Sequence, residues 1–179
     1  MRKSGLNDNH DVEQLAFVLF WPKGSGNTLE TVGIAQGQFA VQEIVASFRK
    51  QKLKPTLVHT NKVYPLVKTG MVACFVDHST MVFGNSDAVK AALDARDGVA
   101  PNLLTNAPMI DAMKSVDTEP LWSVLDEKGT QFMVHQLLGN AASVTDFETV
   151  KKHLQSCRYG MDFQHGVHRS QCWRRSRNS

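Results

Sequence analysis

The chain has 179 residues, 42% apolar and 21% charged, which excludes wholesale disorder and suits one domain, or one domain with a small appendage. Its formal net charge of +3 does not mark a nucleic-acid binder. Residues 168–179, HRSQCWRRSRNS, carry four arginines and no acid, so the other 167 residues sum to minus one.

The opening MRKSGLNDNHDVEQ has a basic start but no apolar core of a secretory signal behind it, so the chain as written is expected to stay in the cytoplasm. Residues 1–10 are expected to be disordered or a partial segment. VEQLAFVLFW then reads as a strand ending at Pro22, and LETVGIAQG as its return, with the turn-rich KGSGNT between them. The apolar runs LAFVLFW (15–21) and MVACFV (71–76) are far shorter than the ~20 residues of a membrane span. In FAVQEIVASFRKQK, Val41, Ile44, Val45 and Phe48 recur at helical spacing, and Arg49, Lys50 and Lys52 gather at the negative helix end.

PTLVHT and KVYPLVK are short strands around Asn61, the second placed at a sheet edge by Pro65. GMVACFVD and STMVFG form a hairpin across Asp77-His78-Ser79. Asn85 or Ser86 caps a helix in which Val89, Ala92 and Leu93 share a stripe, and Gly98 stops it. A linker with Pro101 leads to the amphipathic helix APMIDAMKSV. PLWSVLD is a strand or a helical first turn, TQFMVHQLLG and DFETVKKHL are helices, and CRYGMDFQHGV is a last strand. Hairpins outnumber βαβ units, which predicts an α+β fold: a mainly antiparallel sheet with helices packed on one face, in a single domain over residues 11–167. Residues 168–179 are expected to form a disordered basic tail, because two possible anchors, Cys172 and Trp173, bury too little to offset the ordering entropy.

No complete active site emerges. Asp77, His78 and Ser79 are adjacent, whereas a nucleophile, base and orienting acid converge from separate segments, so the trio reads as a turn. GSGN (24–27) lacks the Gly-Lys-Ser/Thr ending of a phosphate loop and precedes a strand rather than a helix. Gly33 and Gly37 precede a helix, but close packing explains them more simply than an anion. The histidines at 10, 59, 78, 135, 153, 165 and 168 offer one close pair, His165 and His168, whose three-residue spacing points to opposite faces of a strand and disfavours a shared metal. Asp126 and Glu127, like Asp146 and Glu148, suit helix starts. RKQKLK (49–54) is a solvated helix end, and Cys74, Cys157 and Cys172 are too few and scattered for a disulfide framework. These readings predict no catalytic residue, cofactor or metal. They favour a non-enzymatic α+β module, structural or partner-binding. A hydrolase-like enzyme with dispersed residues, and nucleic-acid binding through the arginine tail with Trp173, are the alternatives.

SGLNDNHDVEQLAFVLF, VGIAQGQF, FVDHSTMVFGNSDAVKAALDARDG, MKSVDTEPLWSVLD and YGMDFQHG resemble a family of uncharacterised, typically exported bacterial proteins with a Gly-Leu-Asp-Pro-x-x-Asp-Val motif. Gly5, Leu6 and Asp11-Val12 match that motif, while Asn7-Asp8 replaces its Asp-Pro. The resemblance spans about residues 4–167. It implies an exported origin, a missing signal and first helix, and a strand continuing past Gly166-Val167, so the tail is expected to be a frameshifted or misread end. It carries over no catalytic residue.

Overall fold

The computed structural model describes residues 12–22, 28–66, 70–139, 154–162 and 167–174. The chain is α+β with a mainly antiparallel sheet, and it divides after Pro101 into two compact units. That division corrects the single domain expected over 11–167. The linker at Pro101 is where the sequence placed a linker, but each side closes its own sheet.

The first unit runs β1 (Val12–Phe20), β2 (Glu30–Gly37), α1 (Val41–Lys50), β3 (Thr56–Val58), β4 (Asn61–Pro65), β5 (Val72–Phe75), β6 (Thr80–Gly84) and α2 (Ser86–Arg96). Its six strands are ordered β1-β2-β6-β5-β4-β3, every neighbour antiparallel. Registers align Ala16, Ile34, Val82, Cys74 and Val63 in one row, and Phe17, Gly33, Phe83, Ala73 and Tyr64 in the next. Because successive side chains alternate faces, these rows lie on opposite sides of the sheet.

Helices cover both sides rather than one, which corrects the sequence expectation. On one face Ala88, Val89 and Leu93 of α2 pack on Val32, Val63, Cys74 and Val82. On the other, Ile44 and Phe48 of α1 pack with Ala35, Phe39 and Tyr64. The reason is visible in β6 and β5, whose TMVFG and VACF are apolar at consecutive positions and so need cover on both sides.

Pro65 does not mark an edge, since β4 lies between β5 and β3. Leu66 N–H donates to Met71 O on the β5 side, so the nitrogen of Pro65, one residue earlier, points the other way. There β3 already ends, its last partner on β4 being Val63. Proline costs no ladder bond at that position. Gly84 is fixed more tightly. Its φ is +148°, and a Cβ there would sit 2.2 Å from Thr31 O. Asn85 stands at the N-cap of α2 but spends its side chain on Thr31 N–H, at 2.8 Å, tying the helix start to β2.

The second unit holds a 3₁₀ turn (Leu103–Thr105), α3 (Ala107–Lys114), β7 (Leu121–Leu125), α4 (Glu127–Leu138), β8 (Leu154–Asp162) and β9 (Val167–Arg174). PLWSVLD is thus a strand, in a second antiparallel sheet ordered β7-β8-β9. The Asn106 side chain caps α3 through Met109 N–H and Asp126 caps α4 through Gly129 N–H. The helix expected in DFETVKKHL lies outside the described residues up to His153, and Leu154 already belongs to β8.

Residues 168–174 are strand, correcting the tail expected to begin at 168. The expectation weighed only apolar burial, whereas an edge strand gains its order from backbone pairing, and arginines suit such an edge. The β8–β9 register sets Cys157 opposite Cys172, two cysteines that look scattered along the chain.

Leu93 is 1% exposed within the α2 core. Leu93→Ala is expected to lower stability by about 2–4 kcal/mol, read as a shift in the urea midpoint with unchanged slope.

Candidate functional site

The Asp77, His78, Ser79 trio is the bend between β5 and β6. Ser79 donates to Asp77 Oδ1 twice, from its backbone N–H at 2.7 Å and from Oγ at 2.8 Å. The carbonyls of His78 and Ser79 accept from Phe39 N–H and Gly37 N–H, each at 3.0 Å, so the bend anchors the end of β2. The His78 ring is exposed and makes no hydrogen bond to either neighbour. A triad needs acid, base and nucleophile bonded in series; here the serine hydroxyl bonds the carboxylate directly.

The other sequence candidates are dispersed. Gly33 lies in mid-β2, where a Cβ would fall 2.4 Å from the Phe83 ring, so aromatic packing accounts for it. Gly37 ends β2, three residues short of the N-cap Ala40 of α1. Arg49 and Lys50 form the exposed last turn of α1, and Lys52 and Lys54 follow, also exposed. Asp126 and Glu127 cap and begin α4. Burial pushes the Cys74 thiol up, with nearby Arg96 opposing. GSGN, Asp146, Glu148 and the histidines at 10, 153 and 165 lie outside the described residues. Among the described residues no three His, Cys, Asp or Glu side chains gather as a metal site, and no helix is long and apolar enough to cross a membrane.

A recess of about 450 Å³ opens between α2 and the β3–β5 end of the sheet. It exists because β3 has only three residues and leaves Val72 and Pro65 partly uncovered beside the helix, above the buried Val63. Ser86 and Lys90 line it from α2, and His59 from the β3–β4 turn. His59 takes a left-handed backbone, φ +54°, and its Nε2 lies 2.6 Å from Asp94 Oδ1. Arg96 donates to Asn61 Oδ1 at 3.2 Å, a second tie between that turn and α2. No hydrogen bond joins His59 to Ser86, and Ser86 stands two turns from Asp94 on the same helix, roughly 12 Å along its axis. The recess therefore offers an apolar floor, the Lys90 ammonium and the His59 imidazole held by Asp94.

The most unusual surface is β1. Leu15, Phe17, Val18 and Leu19 are 54%, 54%, 47% and 57% exposed, on a nine-residue edge strand whose one charged residue is Glu13. Its end residues Val12 and Phe20 pack against the two helix-covered cores, and the Phe17 ring stands edge-on to Phe83 at 5.9 Å. The opposite edge is blunted: β3 has three residues and follows Lys52, Lys54 and Pro55. Which backbone groups of β1 face outward follows from alternation. Gly37 N–H donates to Ser79, so in β2 the odd-numbered amides aim at β6 and the even-numbered ones at β1. Ile34 and Val32 oppose Ala16 and Val18, whose amides accordingly face inward. The outward groups are those of Leu15, Phe17 and Leu19. Nothing among the described residues pairs with them.

No protein-family model matches the chain, nor does any curated protein or solved structure.

The backbone N–H of Ser79, then its hydroxyl, holds the Asp77 carboxyl below its ordinary value of 3.8. A depressed carboxyl contributes stability above its unfolded pKa and loses it as pH falls through the folded one. The melting-temperature difference between the native chain and Asp77→Asn is therefore expected to be constant near neutrality and to close as pH falls below about 4. His78→Ala and Ser79→Ala are each expected to change stability by less than ~1 kcal/mol.

Proposed function

We propose that this protein is a non-enzymatic binding module whose first unit takes up a partner strand along the outer edge of β1. The observation that carries this reading is the coincidence on one strand of exposed apolar side chains and outward backbone groups that pair with no strand among the described residues. Each alone is ordinary. Protein surfaces carry many apolar atoms, and sheets end somewhere. Together they are the recognition chemistry of strand addition, in which main-chain hydrogen bonds supply affinity and alternate side chains supply selectivity.

Magnitudes favour the edge over the recess. Fully burying a leucine or phenylalanine side chain is worth roughly 1.5–3 kcal/mol, so covering the exposed half of four such residues offers about 3–6 kcal/mol before the costs of association. The recess offers one exposed ammonium and an apolar lining in which Val63 is already buried in the core. An exported bacterial origin, implied by the family resemblance, is compatible with a partner-binding role and rests on that resemblance alone.

The test uses amide hydrogen exchange with a soluble peptide of alternating valine and threonine as the probe. Addition is expected to slow exchange at Leu15, Phe17 and Leu19 while leaving Ala16 and Val18 protected throughout. Phe17→Lys is expected to weaken peptide binding roughly tenfold, the equivalent of about 1.4 kcal/mol. Unchanged exchange at all three outward amides would overturn the reading.

A further inference from the structure

Resting on the strand-addition reading, we infer that the strand taken up by β1 is β1 of a second copy of this chain, paired antiparallel about a two-fold axis through Phe17, so that two six-stranded sheets join into one. A closed two-fold contact must be self-complementary, each surface meeting itself reversed. The side-chain order of β1 meets that requirement.

In this register residues whose numbers add to 34 are opposed. Leu15 meets Leu19 of the partner subunit and Phe17 meets Phe17 of the partner subunit, all on the face where α1 lies. Ala16 meets Val18 of the partner subunit on the face where α2 lies. Apolar thus opposes apolar on both faces, at the separations where cross-strand pairs interact.

The backbone satisfies the same register. The outward groups belong to Leu15, Phe17 and Leu19, and these are the residues brought opposite one another, so each pair exchanges both of its N–H···O bonds. Charge is also accommodated. Glu13, the one charged residue of the strand, falls opposite Trp21 of the partner subunit, beyond the paired stretch, so no like charges meet. Moving the axis one residue back, to Ala16, would set Glu13 against Leu19. Moving it forward to Val18 would leave Gln14 outside the strand pair, opposite Pro22. The Phe17 axis keeps residues 14–20 of both copies in register. The other edge cannot compete: β3 is three residues long and flanked by Lys54 and Pro55. Seven paired residues per copy make a small interface, so the dimer is expected to dissociate on dilution.

The experiment is sedimentation velocity on the full chain over a wide concentration range. The native chain is expected to approach twice its monomer mass as concentration rises. Phe17→Lys puts two ammonium groups face to face at the axis and is expected to stay monomeric, as is Leu19→Lys, which leaves the Phe17–Phe83 contact intact. Leu57→Lys, on the β3 edge, is expected to dimerise like the native chain. Circular dichroism and melting identify any variant that fails to fold, and either β1 variant suffices. A native chain that remains monomeric, or a dimer indifferent to both β1 lysines, overturns the inference. The peptide experiment then separates the two ideas: a monomer whose outward β1 amides are protected by the valine–threonine peptide keeps the strand-addition reading and loses the second copy as partner, while a monomer without that protection loses both.

Discussion

The first unit depends on one constraint, that β6 and β5 are apolar on consecutive residues and so must be covered on both faces. A sheet with one wet face tolerates polar residues at every second position; Ala73-Cys74-Phe75 and Met81-Val82-Phe83 leave none. One helix must therefore lie on each side. The chain meets that demand by placing α1 after the first hairpin and α2 after the last strand. The glycines follow from the same demand. Gly33 makes room for the Phe83 ring on one face, and Gly84 lets β6 end against the backbone of Thr31 so that α2 turns back over the other.

Two helices cannot cover six strands. Their apolar stripes reach β2, β6, β5 and β4, where the buried residues concentrate, and leave the outermost strands with little cover. The two edges carry that shortage differently. At β3 the strand is cut to three residues, and a left-handed His59 with the His59–Asp94 and Arg96–Asn61 contacts pins the turn back to α2. The recess beside α2 is the geometric residue of that short strand. At β1 the strand runs its full nine residues with no lysine or proline along it. The devices that protect the β3 edge have no counterpart along β1.

Periodicity made most elements of the first unit legible. The stripe Val41, Ile44, Val45, Phe48 and the stripe Val89, Ala92, Leu93 both face cores, and the strands between them appear where the apolar runs and turn residues set them. What periodicity could not convey was order. LAFVLF reads as a strand without revealing that it lies at the edge, and KVYPL, with its proline, reads like an edge yet lies inside. Strand order is decided by which faces the helices reach, a tertiary property absent from any local window. The second unit was missed as a separate body for a similar reason: β7, β8 and β9 are separated in sequence, and pairing of 167–174 with β8 depends on backbone groups that hydropathy does not weigh.

The same distinction governs the candidate sites. The Asp77-His78-Ser79 bend was readable because its chemistry is local: the Asp77 carboxylate bonds a residue two positions on. The recess was not, since His59, Lys90 and Asp94 meet only when α2 lies over the β3–β4 turn. The edge of β1 stands between these cases. Its apolar run was plain, but an apolar run is ordinary in a core and becomes a recognition surface only when the fold leaves it uncovered. Its outward hydrogen-bonding residues, Leu15, Phe17 and Leu19, follow from a single donor at the far end of β2, the Gly37 amide on Ser79. The bend that resembles a catalytic site is thus part of the sheet's hydrogen-bonding pattern, its carbonyls accepting from Gly37 and Phe39 at the end of β2.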